Sequence, residues 1–275
     1  MSEQYSDASY SVFVESESNR LLYEGYYHHS FLEGMRGIVA RHAKGDGKGD
    51  REALGLKKFK LLDVGCGNAV LSRKVMREFS HVVCTGVDLS RPMLHAAALL
   101  CSAEGASERI SLHEANVLGG TSESEPLVLS HMAGSFDCAI SGFVLAHLAT
   151  EKDLQRFFSF IAKSLKAGGS TIHINVAPDM MDEEKLADGH VERVELPLLD
   201  SASGPERATD AARESCPVIE LFDVHWKEET LRRAAESAGL VDFCYDPAQV
   251  KPNCPLEISS ISTRLFILKA SKPGS

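Results

Sequence analysis

Along the chain, apolar positions first recur at helical spacing and then, from Phe59, break into short runs separated by helical stretches. Between residues 5 and 43, Tyr10, Phe13, Val14, Leu21, Leu22, Tyr26, Phe31, Met35, Ile38 and Val39 predict two or three helices. Residues 44–52 are polar and glycine-rich and read as a surface loop. That loop divides an N-terminal helical cap and linker, residues 1–52, from a body over residues 53–275. In the body, strands are expected at 60–64, 81–87, 110–114, 136–141, 170–176, 241–245 and 263–269. Helices are expected at 69–78, 91–102, 151–165 and 227–238, with Gly168 and Gly169 capping the third. Alternating units of this kind predict an α/β fold around a seven-stranded, mostly parallel sheet with helices on both faces. An insertion at about 179–225 is too long for a simple connection. Extended character at 191–198 and 218–226 predicts a hairpin there, over the sheet edge or the active site.

Composition narrows the function classes. The 275 residues are 44% hydrophobic and 25% charged, ordinary for a globular chain, with a net charge of −10. Nucleic-acid binders draw affinity from a basic patch that releases counterions, so the acidic balance argues against a nucleic-acid partner. The first residues hold no basic stretch followed by an apolar core, and no apolar run approaches the ~20 residues of a membrane helix. A cytoplasmic protein without a membrane partner is expected. Seven cysteines, Cys66, Cys84, Cys101, Cys138, Cys216, Cys244 and Cys254, are scattered without a C-x-x-C pair and read as reduced thiols. No histidine spacing predicts a metal site.

Chemistry concentrates in Leu61-Leu-Asp-Val-Gly-Cys-Gly-Asn-Ala-Val-Leu-Ser72, a strand that ends in a G-x-G turn opening a helix. Gly65 and Gly67 allow a tight turn and close approach of a ligand. Asp88 ends the second strand, where an acid can accept both ribose hydroxyls of an adenosine-containing ligand. A dinucleotide site would carry a third glycine at the position of Val70. Asp63, at the end of the first strand, would oppose a pyrophosphate but can hold a ligand ammonium. An adenosine ligand with an amino-acid tail therefore fits better than NAD. Simpler readings stay open: Asp63 can cap the next helix, Asp88 can be the N-cap of the helix near Arg91, and Met93 can be core.

These residues resemble the class I S-adenosylmethionine-dependent methyltransferase family, of small-molecule type. Leu62-Asp-Val-Gly-Cys-Gly67 is similar to its first motif, and Gly86-Val-Asp-Leu-Ser90 with Met93 to its second. Phe136-Asp-Cys-Ala-Ile-Ser-Gly-Phe-Val-Leu-Ala-His-Leu148 is similar to its fourth-strand motif, and Leu165-Lys-Ala-Gly-Gly169 to the turn before strand five. The resemblance implies a Rossmann-like fold, with S-adenosylmethionine as cofactor and S-adenosylhomocysteine as product. It implies that Gly65, Cys66 and Gly67 line the methionine moiety and that Asp88 holds the ribose. Leu89 and Met93 would flank the adenine. Asn116, followed by Val117, stands where the family often has an acid toward the adenine amino group, and its amide oxygen can accept the same hydrogen bond. Ser141, Gly142 and Phe143 would lie beside the sulfonium and the acceptor.

The expected reaction is methyl transfer to an oxygen or nitrogen nucleophile of a small molecule, by a monomer or homodimer. An Asn-Pro-Pro-Tyr segment, which the family's enzymes acting on nucleic acid or protein often carry after strand four, is absent. His147 is a candidate base, and so is Tyr10, one of a group with Tyr5, Tyr23, Tyr26 and Tyr27 that can pack or cover the ligands. The alternatives are a non-catalytic module that binds the cofactor or a partner, and an NAD-dependent oxidoreductase.

Overall fold

The computed structural model describes residues 28–45, 58–119, 131–176, 190–197, 218–247 and 265–274. Tyr10 and the four other tyrosines grouped with it lie outside these residues, as does most of the stretch between 177 and 217.

Helix α1, His28–Gly45, precedes β1, Phe59–Val64. Four of the six β1 residues, Leu61 to Val64, are buried in succession, as expected of a strand covered on both faces. After α2, Val70–Glu78, come β2, Val82–Asp88, α3, Arg91–Ala103, and β3, Ile110–Glu114. Ser90 caps α3 by accepting from the Met93 N–H at 3.4 Å, with proline in its first turn. Strand β4, Phe136–Gly142, leads through a single 3-10 turn, Leu145–His147, into α4, Glu151–Ser164, capped by Thr150. Then follow β5, Leu165–Val176, the pair β6, His190–Pro197, and β7, Val218–His225, then α5, Glu228–Ser237, β8, Val241–Pro247, and β9, Leu265–Ser271.

Seven strands form one sheet in the order β3-β2-β1-β4-β5-β9-β8. The first five are parallel, and β9 runs antiparallel to both β5 and β8. Strands β6 and β7 form the expected antiparallel hairpin. One face of the sheet buries Phe31 and Met35 of α1 with Leu71, Val75 and Met76 of α2 and Ala97 of α3. The other buries Phe157, Phe158 and Ile161 of α4 with Leu231 and Ala235 of α5. Successive units step outward from β1 through β2 to β3, then the chain returns to the far side of β1 with β4. That reversal opens a crevice at the carboxyl ends of β1 and β4, where open α/β sheets take ligands.

The double glycine is used differently from the expectation. Helix α4 ends at Ser164, and Leu165 is extended, its N–H returned to the Ile161 carbonyl. The Gly168 N–H instead donates to the carbonyls of Lys272 and Pro273 at 3.1 and 3.2 Å, and the Lys272 N–H donates to Gly169 at 2.8 Å. The tail of β9 runs beside this segment, so cross-strand pairing, and not helix capping, occupies its backbone. The last strand also runs to Ser271, two residues beyond the end its apolar run predicts.

Candidate functional site

The turn after β1 is stitched to the end of β2: the N–H groups of Gly65 and Cys66 both donate to the Val87 carbonyl, at 2.7 and 3.1 Å. Gly65 has φ +67°, and a Cβ there would lie 2.4 Å from Val144 Cγ2. Gly67 has φ +52°, and its Cβ would lie 3.1 Å from Met93 Cε. Both positions take the left-handed backbone that favours glycine, and at Gly65 the space excludes any side chain as well. Ala69, next before α2, is also left-handed, at φ 60°. That costs an alanine about 1–2 kcal/mol and is offset in part by burial of its methyl. The Cys66 side chain turns away from the crevice toward Gly86, so only its backbone is available there. Burial, with the carboxyls of Asp63 and Asp88, pushes its thiol well above the ordinary range.

Two carboxyls close the ends of β1 and β2. Asp88 is not the cap of α3, a task that Ser90 performs. Its Oδ2 accepts from the Gly67 N–H at 2.7 Å and its Oδ1 from the Ser90 N–H at 2.8 Å. A carboxylate has about four lone-pair sites, so capacity for a further donor remains. Burial raises its pKa, against the hydrogen bonds from Ser90, Gly67 and Leu89 that favour the charge. Asp63 is 1% exposed and accepts a short hydrogen bond from Ser72 Oγ of α2. Burial pushes its pKa to about 7; the Ser72 bond works against that and the Asp88 charge adds to it.

Beyond Asp88, Leu89 is a large apolar side chain left 47% exposed, while Met93 is buried against the glycine turn. The Asp88 carbonyl accepts from the Ala115 N–H at 3.0 Å, which fixes the following loop beside β2. In that loop Asn116 Oδ1 accepts from the Leu118 N–H at 3.0 Å, and Val117 packs on the core. The Asn116 oxygen thus holds its own turn.

At the end of β4, Gly142 faces Leu71 of α2, and Phe143 takes the left-handed region at φ 61°, its N–H donating to Ile174 at 2.8 Å. A bulky residue held there is strained, and such strain clusters at functional sites. The Ser141 hydroxyl points into the core. Thr171 Oγ1 donates to the Ala139 carbonyl at 3.1 Å, so it accepts from His173 Nε2 at 2.7 Å, and His173 Nδ1 accepts from Ser141 Oγ at 2.7 Å. Every member of this buried chain is satisfied, and His173 is wedged against Phe157 and Phe158. Burial lowers its pKa to about 3, and that of His147, in the turn after β4, to about 4. Both rings are neutral at pH 7.

Sequence reasoning missed Ser72, Val144 and His173. The available signal for His173 is the alternation Thr171, His173, Asn175 in a strand that both faces cover, where parallel strands normally read as unbroken apolar runs. Strand β7 runs beside the 3-10 turn Leu145–His147, and Trp226 Nε1 donates to the Leu148 carbonyl at 3.1 Å. The hairpin therefore meets the carboxyl end of β4. Among the described residues, no helix is long and apolar enough to cross a membrane. Among them, too, no group of three or more His, Cys, Asp or Glu gathers to hold a metal.

Residues 61–169 match the family model described as a methyltransferase domain. In fold, the chain is similar to the glycopeptide N-methyltransferase MtfA, with a TM-score of 0.57 at 12% identity over 94% of this chain and 100% of that one. It is similar to an S-adenosylmethionine-dependent methyltransferase from Clostridium acetobutylicum, TM-score 0.54 at 13% identity, covering 90% and 91%. The cyclase SpnF also aligns, TM-score 0.51 at 17% identity, covering 91% and 87%. No curated protein sequence matches the chain.

Proposed function

We propose that the chain is a class I S-adenosylmethionine-dependent methyltransferase, a reading supported by the match of residues 61–169 to a methyltransferase domain, and that it methylates an oxygen or nitrogen nucleophile of a small molecule. One observation carries the cofactor assignment: the Asp88 carboxylate lies against the Gly67 N–H, in a turn whose first glycine leaves no room for a side chain.

The residues fit the cofactor group by group. Asp63 offers an uncompensated buried carboxyl for the ammonium, and the backbone of Gly65, Cys66 and Gly67 lines the amino-acid tail. Asp88 holds the ribose with its free lone pairs. Exposed Leu89 and buried Met93 cover the adenine faces, and Asn116 with Val117 meets its edge. Val70, where a dinucleotide site needs glycine, weighs against NAD. The cofactor supplies a methyl group already activated on a sulfonium. What the chain does is align the nucleophile with that methyl and exclude water. Gly142 and Phe143 form the wall beside the acceptor, with Ser141 anchoring that wall from within the core. His147, neutral at pH 7, can accept a proton from an acceptor that must lose one. Its low pKa makes it a weak base, so an acceptor that reacts as a neutral amine suits the site best.

The acidic net charge, and a fold neighbour named as an N-methyltransferase of glycopeptides, support an acceptor that is not a nucleic acid and that we take to be a small molecule. The segment before α1, with Tyr10, and the insertion at 179–225 are the proposed acceptor-selecting parts of a cytoplasmic monomer or homodimer. Because a cyclase shares the fold, turnover needs its own test. The purified chain is incubated with S-adenosylmethionine and a panel of small amines, alcohols and phenols and read by mass spectrometry. A product heavier by one methylene, formed together with S-adenosylhomocysteine, is expected. Cofactor binding with no methylated product across the panel favours the non-catalytic module.

A further inference from the structure

Asp63 has an unusual pair of neighbours. It is buried at the end of β1, and the groups acting on it are the hydroxyl and the backbone N–H of Ser72 and the Asp88 carboxyl, with no cation among them. Two thiols also face it, Cys66 from the glycine turn and Cys84 from β2, both raised by burial and so neutral. Strand β4 presents the apolar Ile140 beside it. Ser72 Oγ lies between the Asp63 carboxyl and the Cys84 sulfur, 3.0 Å from the latter, and either atom of that second contact can donate.

This chain can run in either direction. With Asp63 ionised, the Ser72 hydroxyl donates to the carboxylate and the Cys84 thiol donates to Ser72. With Asp63 protonated, the carboxyl donates to Ser72 and the hydroxyl turns its hydrogen to the Cys84 sulfur. Both states keep the Asp63–Ser72 and Ser72–Cys84 contacts and differ only in the direction of donation, at the cost of a weak thiol donor released in the protonated state. An apolar residue at position 72 or 84 would satisfy only one of them.

We propose that Asp63 is held protonated in the free protein and releases its proton when the cofactor's ammonium arrives, with Ser72 and Cys84 as the reversible hydrogen-bond chain that permits both states. The inference rests on the reading of Asp63 as the ammonium's partner. The proton passes to solvent, the ammonium keeps its own, and a neutral carboxyl facing a second carboxyl becomes a carboxylate paired with a cation. Its burial-raised pKa near neutrality sets the range in which this is visible.

The test is calorimetry of S-adenosylhomocysteine binding to the full chain from about pH 6 to about pH 8.5, at each pH in two buffers of different ionisation heat whose own pKa values lie within about one unit of that pH. Near pH 6, close to one proton is expected to leave per cofactor bound, falling toward none at the alkaline end, with affinity rising up to tenfold per pH unit below about 7 and level above. In D63N the release should vanish. S72A removes the larger of the two Ser72 hydrogen bonds that lower the Asp63 pKa and keeps the backbone one, so the half-point of release should move to higher pH, a change that loss of packing alone would not produce. Binding without proton release, or release that survives in D63N, overturns the proposal and leaves the cofactor assignment standing. No binding by the folded protein overturns the cofactor assignment itself.

Discussion

At the scale of single residues, the site depends on a few positions where side chain and backbone leave no choice. Asp88 joins two N–H groups of different segments through one carboxylate, and its remaining lone pairs are the proposed ribose contacts. Replacing it with alanine should raise the dissociation constant for S-adenosylhomocysteine about ten- to a hundredfold, since hydrogen bonds to a charged group contribute about 1.5–3 kcal/mol. Calorimetry on a variant with native circular dichroism checks this, and unchanged affinity removes the ribose role. Asp63, the glycines and Asp88 were legible in the sequence because a strand, a G-x-G turn, a helix and a terminal acid recur within one βα unit. His173 was not, because its role follows from register: Ser141 pairs with His173 across β4 and β5, and no local pattern announces which residues two distant strands bring level. Ser72 was missed for a similar reason. It is an ordinary helix residue until the packing of α2 turns it toward β1.

At the scale of elements, the βα order was readable because each unit has its own period, and the hairpin because its flanking runs were extended. What the pattern did not hold was the use of Gly168 and Gly169, which depends on where the tail of β9 passes a hundred residues later. The contact between Trp226 and Leu148 ties the segment after the hairpin to the turn that carries His147. Trp226 is the chain's single tryptophan. Trp226→Phe leaves the Leu148 carbonyl without this donor and should lower stability by about 1–3 kcal/mol, read from urea unfolding. In the wild type, indole emission should shift when ligands fill the crevice, and emission unaffected by saturating cofactor and acceptor would separate this contact from the site.

For the whole molecule, buried titratable groups set how stability follows pH. His147 and His173 have pKa values lowered by burial to about 4 and about 3, from an ordinary 6.5. The stability they contribute is intact above 6.5 and is lost as the pH falls toward those values, because the unfolded chain takes up protons that the native rings refuse. Asp63 acts in the opposite sense. Its native pKa of about 7 lies above the ordinary 3.8, so the native state keeps a proton that the unfolded chain gives up, and stability is lost as the pH rises between those values. Between about pH 4 and 6 the two histidines and Asp63 therefore oppose each other. D63N should steepen the rise of stability with pH in that window by about one proton, or ~1.4 kcal/mol per pH unit. Urea midpoints measured across the window check it, and an unchanged slope would mean that Asp63 is ionised in the native protein.

The central claim is that this α/β crevice takes S-adenosylmethionine, and parallel calorimetric titration of the purified chain with S-adenosylmethionine, S-adenosylhomocysteine and NAD tests it most directly. The account predicts micromolar binding of the first two and none of NAD. Binding of NAD alone, or of none of the three by the folded protein, would contradict it.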